Sequence, residues 1–242
     1  MNTEFLLSPL RESDVFETAC RKLGEPGKRA ALFSLSGAQK AHAACAAALE
    51  TGRPLVVLCD SERAAGRTAE DYASLLDGKV ALFPARDLTF YQDVAASHDV
   101  SSRRIEALSR ALGGDLHAVV MPVDALLHRV MPKQVFCECS IALHTGDTVS
   151  GSELEKRLLA SGYTREHMVE GKGQFSVRGE IVDIYPADAA AAIRLDFFDD
   201  ELESIRTLDV LSQRSTGEMD SILIPPACEA PVPLSAEAQR LA

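Results

Sequence analysis

The sequence contains no tryptophan, and its aromatic content is only 5%. Platforms that stack single-stranded nucleic acid are built from such rings, so the chain is poorly equipped for that task. Positive charge is also short: 25 Lys and Arg stand against 36 Asp and Glu, a net charge of -11. That balance opposes the phosphate attraction behind most non-specific DNA affinity, and it disfavours autonomous DNA binding outside a local basic patch. No apolar run reaches membrane-spanning length, and residues 1–10 have neither the basic start nor the apolar centre of an export signal. Cysteine is present but unorganised. Cys20, Cys45, Cys59, Cys137, Cys139 and Cys228 make no CxxC pair and no framework spacing. Reduced thiols and a cytoplasmic protein with no membrane partner are expected.

What is present is ordinary globular sequence: 242 residues, 46% hydrophobic and 25% charged, enough for one large domain or two modest ones. Val15, Phe16, Ala19 and Leu23 recur at helical spacing, and Gly24, Pro26 and Gly27 end that helix. An apolar strand is predicted over residues 30–35, a helix over 38–49, a buried strand over 54–59, and a helix capped by Asp60 or Ser61 running towards Leu76. Strands at 80–83 and 118–121 flank a helix whose Ile105, Leu108 and Leu112 share a face, with Glu106 placed to pair with Arg110. Strand and helix in alternation imply a parallel sheet with helices packed on it.

After Met131-Pro132 the pattern becomes strands around one helix, which places a domain boundary there. A strand is predicted over 136–143, and Ser152-Glu153-Leu154-Glu155 reads as the capping box of a helix that Gly162 ends. The last apolar run, Ile222-Leu223-Ile224, is expected to return to the first sheet. The organisation expected is an α/β domain over 1–131, a smaller α+β domain with a β-hairpin over 132–215, and a return segment over 216–242 that breaks off before the first domain is closed.

Catalytic signals are weak. Ser34-Leu35-Ser36-Gly37-Ala38-Gln39-Lys40-Ala41 occupies the strand-to-helix turn where a phosphate loop would sit. A working loop needs glycines so that backbone amides can wrap the phosphates, and a hydroxyl after the lysine to hold magnesium. Here Ser34 and Gln39 replace the outer glycines and Ala41 replaces the hydroxyl, leaving Gly37 and Lys40. Cys137, Cys139 and His144 lack a fourth metal ligand nearby, and His98, His117, His128 and His167 have no nucleophile and acid at recognisable spacing. The acids Asp196, Asp199, Asp200 and Glu201 lack the spacing of a calcium loop. No catalytic residue, metal ligand or cofactor is assigned.

The informative stretch is residues 173–215. Phe175 and Val177 alternate with Ser176 and Arg178, Gly179 breaks or bulges the strand, and Ile181 to Tyr185 resume it up to Pro186. Ile193, Leu195 and Phe197 share the buried parity of the next strand, which puts Arg194, Asp196 and Phe198 on its other face. Asp199-Asp200-Glu201 turns the chain into a third alternating run through Ile205, making residues 193–208 a hairpin. An aromatic out of phase beside an arginine has two readings. The ring tucks into the hairpin end while Arg194 pairs with Asp196 or Asp200, or Arg and Phe together form the anchor of a protein interface.

The run Gly173-x-x-Phe175-x-x-Arg178-Gly179-x-x-x-Asp183-x-Tyr185-Pro186, followed by Arg194-Leu195-Asp196-Phe197-Phe198-x-Asp200-Glu201-Leu202-Glu203-Ser204-Ile205-Arg206, resembles the N-terminal UvrB-homology module of the bacterial transcription-repair coupling factor. Leu82-Phe83-Pro84-Ala85-Arg86, Phe90-Tyr91-Gln92 and Ser101-Ser102-Arg103-Arg104-Ile105 extend the likeness over most of the chain. The resemblance implies a degenerate P-loop, RecA-like first domain and a non-catalytic second domain that recruits UvrA to stalled transcription complexes in nucleotide excision repair. It carries UvrA binding onto Arg178, Arg194 and Phe198, with Arg206 and Asp209 supporting the hairpin. UvrB's long aromatic hairpin has no room after Phe90-Tyr91-Gln92, which weighs against the alternatives of a nucleotide-driven helicase or a damaged-DNA binder. Gly179-Glu180 stands where relatives often carry two small residues. The longer family member is an ATP- and magnesium-dependent double-stranded DNA translocase that also binds RNA polymerase and masks its UvrA surface with its own C-terminal domain. The present chain is expected to be a piece of such a protein, with those activities outside it.

Overall fold

A computed structural model of the chain describes residues 3–86 and 98–231, so the Phe90-Tyr91-Gln92 segment lies outside the described residues. In chain order the elements are α1 (Thr3–Arg11), α2 (Asp14–Gly24), α3 (Gly37–Thr51), β1 (Leu55–Cys59), α4 (Glu62–Leu75), β2 (Val80–Leu82), α5 (His98–Gly113), β3 (Ala118–Pro122) and α6 (Val123–Leu126). They continue with α7 (Lys133–Cys139), β4 (Ile141–His144), α8 (Gly151–Ala160), β5 (Thr164–Arg165), β6 (Gln174–Arg178) and β7 (Ile181–Ile184). The last are β8 (Ala192–Phe198), β9 (Glu201–Asp209), β10 (Arg214–Met219) and β11 (Ser221–Ile224). The class is mixed α/β, and no helix among the described residues is long and apolar enough to cross a membrane.

The chain forms two compact units, residues 1–85 with 113–128, and residues 86–112 with 129–242. In the first, β1, β3 and β2 make a parallel sheet in that spatial order, with Leu55 opposite Ala118 and Val80 opposite the same residue on the other side. Ser61 caps α4 by accepting from the Ala64 amide at 3.3 Å, as its position before a helical run requires. Small residues of α3 and α4, Ala41, Cys45 and Ala65, pack with Tyr72 and Leu76 against Val80, Ala118 and Val120. Residues 30–35, predicted as a strand, are irregular, and Phe33 is 84% exposed. The run is apolar enough for a buried strand, but among the described residues no neighbour pairs with it.

The second unit is built on a six-stranded sheet in the order β10-β9-β8-β7-β6-β5, all neighbours antiparallel except the short β5–β6 pair. One face buries Phe175, Val182, Ile184, Ile193, Leu195 and Ile205 beneath Leu154 and Leu158 of α8 and beneath β4 and β11. The run Ile222-Leu223-Ile224 does not return to the first sheet; it pairs with β4, Ile224 opposite Ile141, because both residues complete this core. The predicted strand over 136–143 is also corrected. Residues 133–139 are helix α7, whose Val135, Phe136 and Cys139 recur at helical spacing and bury, and only residues 141–144 are strand. Cys137 is then exposed while Cys139 is buried, so the two thiols do not share a face. Ser150, not Ser152, caps α8: it accepts from the Glu153 amide at 3.3 Å, the same Ser-x-x-Glu spacing two residues earlier.

Helix α5, read as part of the first βα alternation, belongs with the second unit. Ile105 packs among Met131, Val135, Phe136 and Ala187, and the Ser109 hydroxyl donates to Asp188 at 2.7 Å. Its Arg104 is 1% exposed and meets Glu229, which also accepts from Arg86 Nη2 at 2.6 Å. Burial alone would push the Glu229 carboxyl up, but the two arginines hold it below its ordinary range. Arg86 and Arg104, both inside the motifs that carried the resemblance, therefore act as a structural clasp.

Candidate functional site

The outward face of the six-stranded sheet is where the predicted residues fall. Gly179, with φ of 62°, closes a two-residue turn with Glu180, so the expected break is a hairpin with Arg178 opposite Ile181. That register fixes the next pairs, Ser176 opposite Asp183 and Asp183 opposite Arg194. Arg194 in turn lies opposite Arg206, and Arg206 opposite Glu218, so one polar row crosses five strands. At the end of the row nearest Ala192 this face is covered, because Val169 packs on Ala192 and Leu208. At the other end it is open.

Asp183, between Ser176 and Arg194 in the row, is the residue that the sequence does not single out. Its side chain is 1% exposed, yet it accepts from two guanidiniums. Arg194 Nε donates to Oδ1 at 2.7 Å and Nη2 to Oδ2 at 2.9 Å, a two-point fork, while Arg178 Nη2 donates to Oδ2 as well. Among the described residues Asp183 is Arg178's bonded partner, and Arg178 keeps 45% of its side chain exposed against 16% for Arg194. Donating hydrogen bonds to Asp183 raises the Arg194 pKa against the opposing pull of burial, so the group is a fixed cation. The signal was legible in principle: a two-residue turn at Gly179-Glu180 places Asp183 on the face of Ser176, diagonal to Arg178.

Arg194 and Arg206 are like charges directly opposite, an arrangement that is destabilising by itself. Acids on both flanks offset it. Asp183 holds Arg194, while Arg206 lies 3.5 Å from Asp196 and 3.4 Å from Glu218, and Ser204 donates to Asp196 at 2.8 Å. The pairing of Arg194 with Asp196 or Asp200 is thus replaced by the tighter fork to Asp183.

Phe198 ends β8 opposite Glu201 and is 67% exposed, whereas its neighbour Phe197 is buried. An irregularity in the register between Asp196 and Phe197 leaves Glu203 as an extra residue on β9, and the turn is the pair Asp199-Asp200, with Asp199 at φ of 56°. The ring does not tuck into the hairpin end. Asp209 supports the next turn by accepting from the Leu211 and Ser212 amides, which holds its carboxyl below the usual range.

The stretch Ser34 to Ala41, expected as a degenerate phosphate loop, leads into the start of α3 in the first unit. Ser34 sits in the left-handed region at φ of 63°, and Gln39 Oε1 accepts from the Ser36 amide at 2.9 Å. Gln39 thereby occupies a backbone donor with the helix's own cap, and Ala41 is buried against the sheet. Gly37 opens the helix, and the Lys40 amide donates back to the Ser36 carbonyl at 2.9 Å.

Residues 141–229 match the family model of the UvrB interaction domain, and this segment contains the whole polar row and Phe198. The chain is 33% identical over 221 residues to the transcription-repair-coupling factor of Bacillus subtilis, which covers 91% of this chain and 19% of that protein. It is 28% identical over 205 residues to the transcription-repair-coupling factor of Escherichia coli, 85% of this chain and 18% of that protein. It is 26% identical over 238 residues to the UvrABC system protein B of Kosmotoga olearia, 93% of this chain and 34% of that protein. The fold and the match define a chain that carries a UvrB interaction domain. It is a homologue of part of the transcription-repair-coupling factors, and it spans about a fifth of the length of those relatives.

Proposed function

We propose that this chain is a non-catalytic docking module of transcription-coupled nucleotide excision repair, and that the open end of its six-stranded sheet recruits UvrA. The observation that carries the reading is Phe198, a large ring 67% exposed at the end of a strand, beside a face whose arginines are held in place. Exposed aromatics next to guanidiniums are the residue types that dominate protein interfaces. Arg178 offers unused donors to an acidic partner, Arg194 supplies a fixed positive field, and Phe198 supplies the apolar anchor. The first unit is a degenerate P-loop domain that holds no ATP or magnesium. Gln39 caps its own helix and Ala41 has no oxygen for a metal, so the loop serves the fold. ATP-driven translocation on DNA and RNA polymerase binding belong to parts of the longer relatives that this chain does not span.

The test is calorimetric titration of this chain into purified UvrA, with Phe198→Ala and Arg194→Ala beside the wild type and folding checked by circular dichroism. Wild-type binding is expected, with losses of roughly 1 to 4 kcal/mol for each variant. Full affinity in a folded Phe198→Ala variant would remove the anchor from the site.

A further inference from the structure

We infer that Asp183 is a positioning residue for partner recognition, and that it divides the work between the two arginines: Arg194 is locked as a strut, and Arg178 is the arginine that reaches the partner. The inference rests on the UvrA-docking reading and adds a residue with its mechanism. The geometry is unequal. Arg194 spends both Nε and Nη2 on Asp183, sends Nη1 towards the Gln213 carbonyl at 3.5 Å, and is 16% exposed. Its fork is therefore filled before any partner arrives. Arg178 spends Nη2 alone on Asp183 and is 45% exposed, so its Nε–H and its two Nη1 hydrogens remain as donors for a carboxylate.

The physics follows from where the carboxylate sits. A buried, ionised Asp183 cannot stand alone, so it draws both cations to itself, and a shared acceptor 1% exposed gives them fixed rotamers. An arginine on an open sheet face would otherwise sample many rotamers and lose that freedom on binding. Ser176, the β6 partner of Asp183, is also 1% exposed, and its hydroxyl has no hydrogen-bond partner among the described residues, so it does not compete with the guanidiniums for the carboxylate. Asp183 thus holds Arg178 in place on the face whose β8 ends at Phe198, without touching the partner. The partner group that fits is an Asp or Glu side chain flanked by an apolar recess for the ring.

The experiment is a double-mutant cycle on this chain with UvrA as the titrant, run well below the melting temperature. Asp183→Asn, nearly the same shape but uncharged, is expected to weaken binding about tenfold, and adding it to Arg178→Ala should weaken binding by less than about threefold more, because Asp183 acts through Arg178. A purely structural Asp183 would lower the melting temperature and leave the affinity of the folded protein unchanged. That result, or losses that multiply in the double variant, overturns the inference while wild-type binding keeps the docking reading intact. If the wild type itself fails to bind, both fall. Should Asp183→Asn not fold, Arg194→Lys keeps the charge and loses the fork. Lost affinity with retained fold then supports the strut, and unchanged affinity overturns it.

Discussion

The first unit fills its core with small side chains and the second with large ones. Ala41, Cys45, Ala65 and Ala118 line the space between α3, α4 and the three-stranded sheet, where the second unit buries Phe175, Ile184, Leu195 and Leu154. The sheets differ in the same sense. Helices cover one face of the parallel sheet, and on its other face Val56 is 63% and Leu58 50% exposed, although parallel sheets are ordinarily covered on both sides. The six-stranded sheet turns a packed face inward and an ion-paired row outward. Its outer face is polar by design of the row, so it stays in water at little cost and remains available to a partner. Large buried side chains give the second unit the stiffness on which a pre-arranged surface depends.

The comparison is most exposed to cavity variants. Phe175→Ala in the second unit should destabilise by about 3 to 5 kcal/mol, and Cys45→Ala in the first by about 1 kcal/mol, both read from urea unfolding at constant m-value. Equal losses would break it. Glu229→Gln comes next, at about 3 kcal/mol at neutral pH, because Arg104 is left buried without its carboxylate. Its pH dependence has a definite sign. The carboxyl is held below the ordinary glutamate value of 4.5, so its stabilisation is complete above that pH and drains away as acid carries the protein through the lower folded value. The wild type should therefore lose stability faster than Glu229→Gln as the pH is lowered from 4.5.

A smaller loss, about 2 kcal/mol, is expected for Gly162→Ala, since Gly162 has φ of 89° and an added Cβ meets Cys228 Sγ. Pairing it with Cys228→Ala should recover part of the loss in a thermal melt. Thiol alkylation sharpens the comparison without altering stability. Exposed Cys137 should react first, and Cys45, fully buried with its pKa pushed up to about 12, only as the first unit opens. Modification of Cys45 before buried Cys139 would show the small-residue core to be the weaker one.

Much of the second unit was legible in the sequence, because strict alternation from Phe175 to Ile205 fixes which face each side chain takes. The face of Arg178, Arg194 and Phe198 follows from that parity alone. Asp183 did not follow, since its role depends on the turn at Gly179-Glu180 setting the register, and strand parity carries no register. The cap is ambiguous in the sequence because Ser150 and Ser152 each stand three residues before a glutamate, and only the backbone decides between them. Residues 136–139 look like strand in the sequence because Cys137 and Cys139 continue the two-residue spacing of Ile141 and Leu143, whereas the helical spacing of Val135, Phe136 and Cys139 lasts only one turn. The place of α5 was illegible for another reason: its partners, Val135, Ala187 and Glu229, lie up to 125 residues away.

The clasp on Glu229 also sets an order of events during synthesis. Arg86 and Arg104 precede their shared carboxylate by 143 and 125 residues. At roughly 5 to 20 residues per second, Arg104 leaves the ribosome about 6 to 25 s before Glu229 follows it. The first unit, whose residues end at His128, has all its parts by then. The second cannot close the clasp on α5 until Glu229 arrives, so its last tie between distant parts of the chain forms only when nearly the whole of this stretch has been translated.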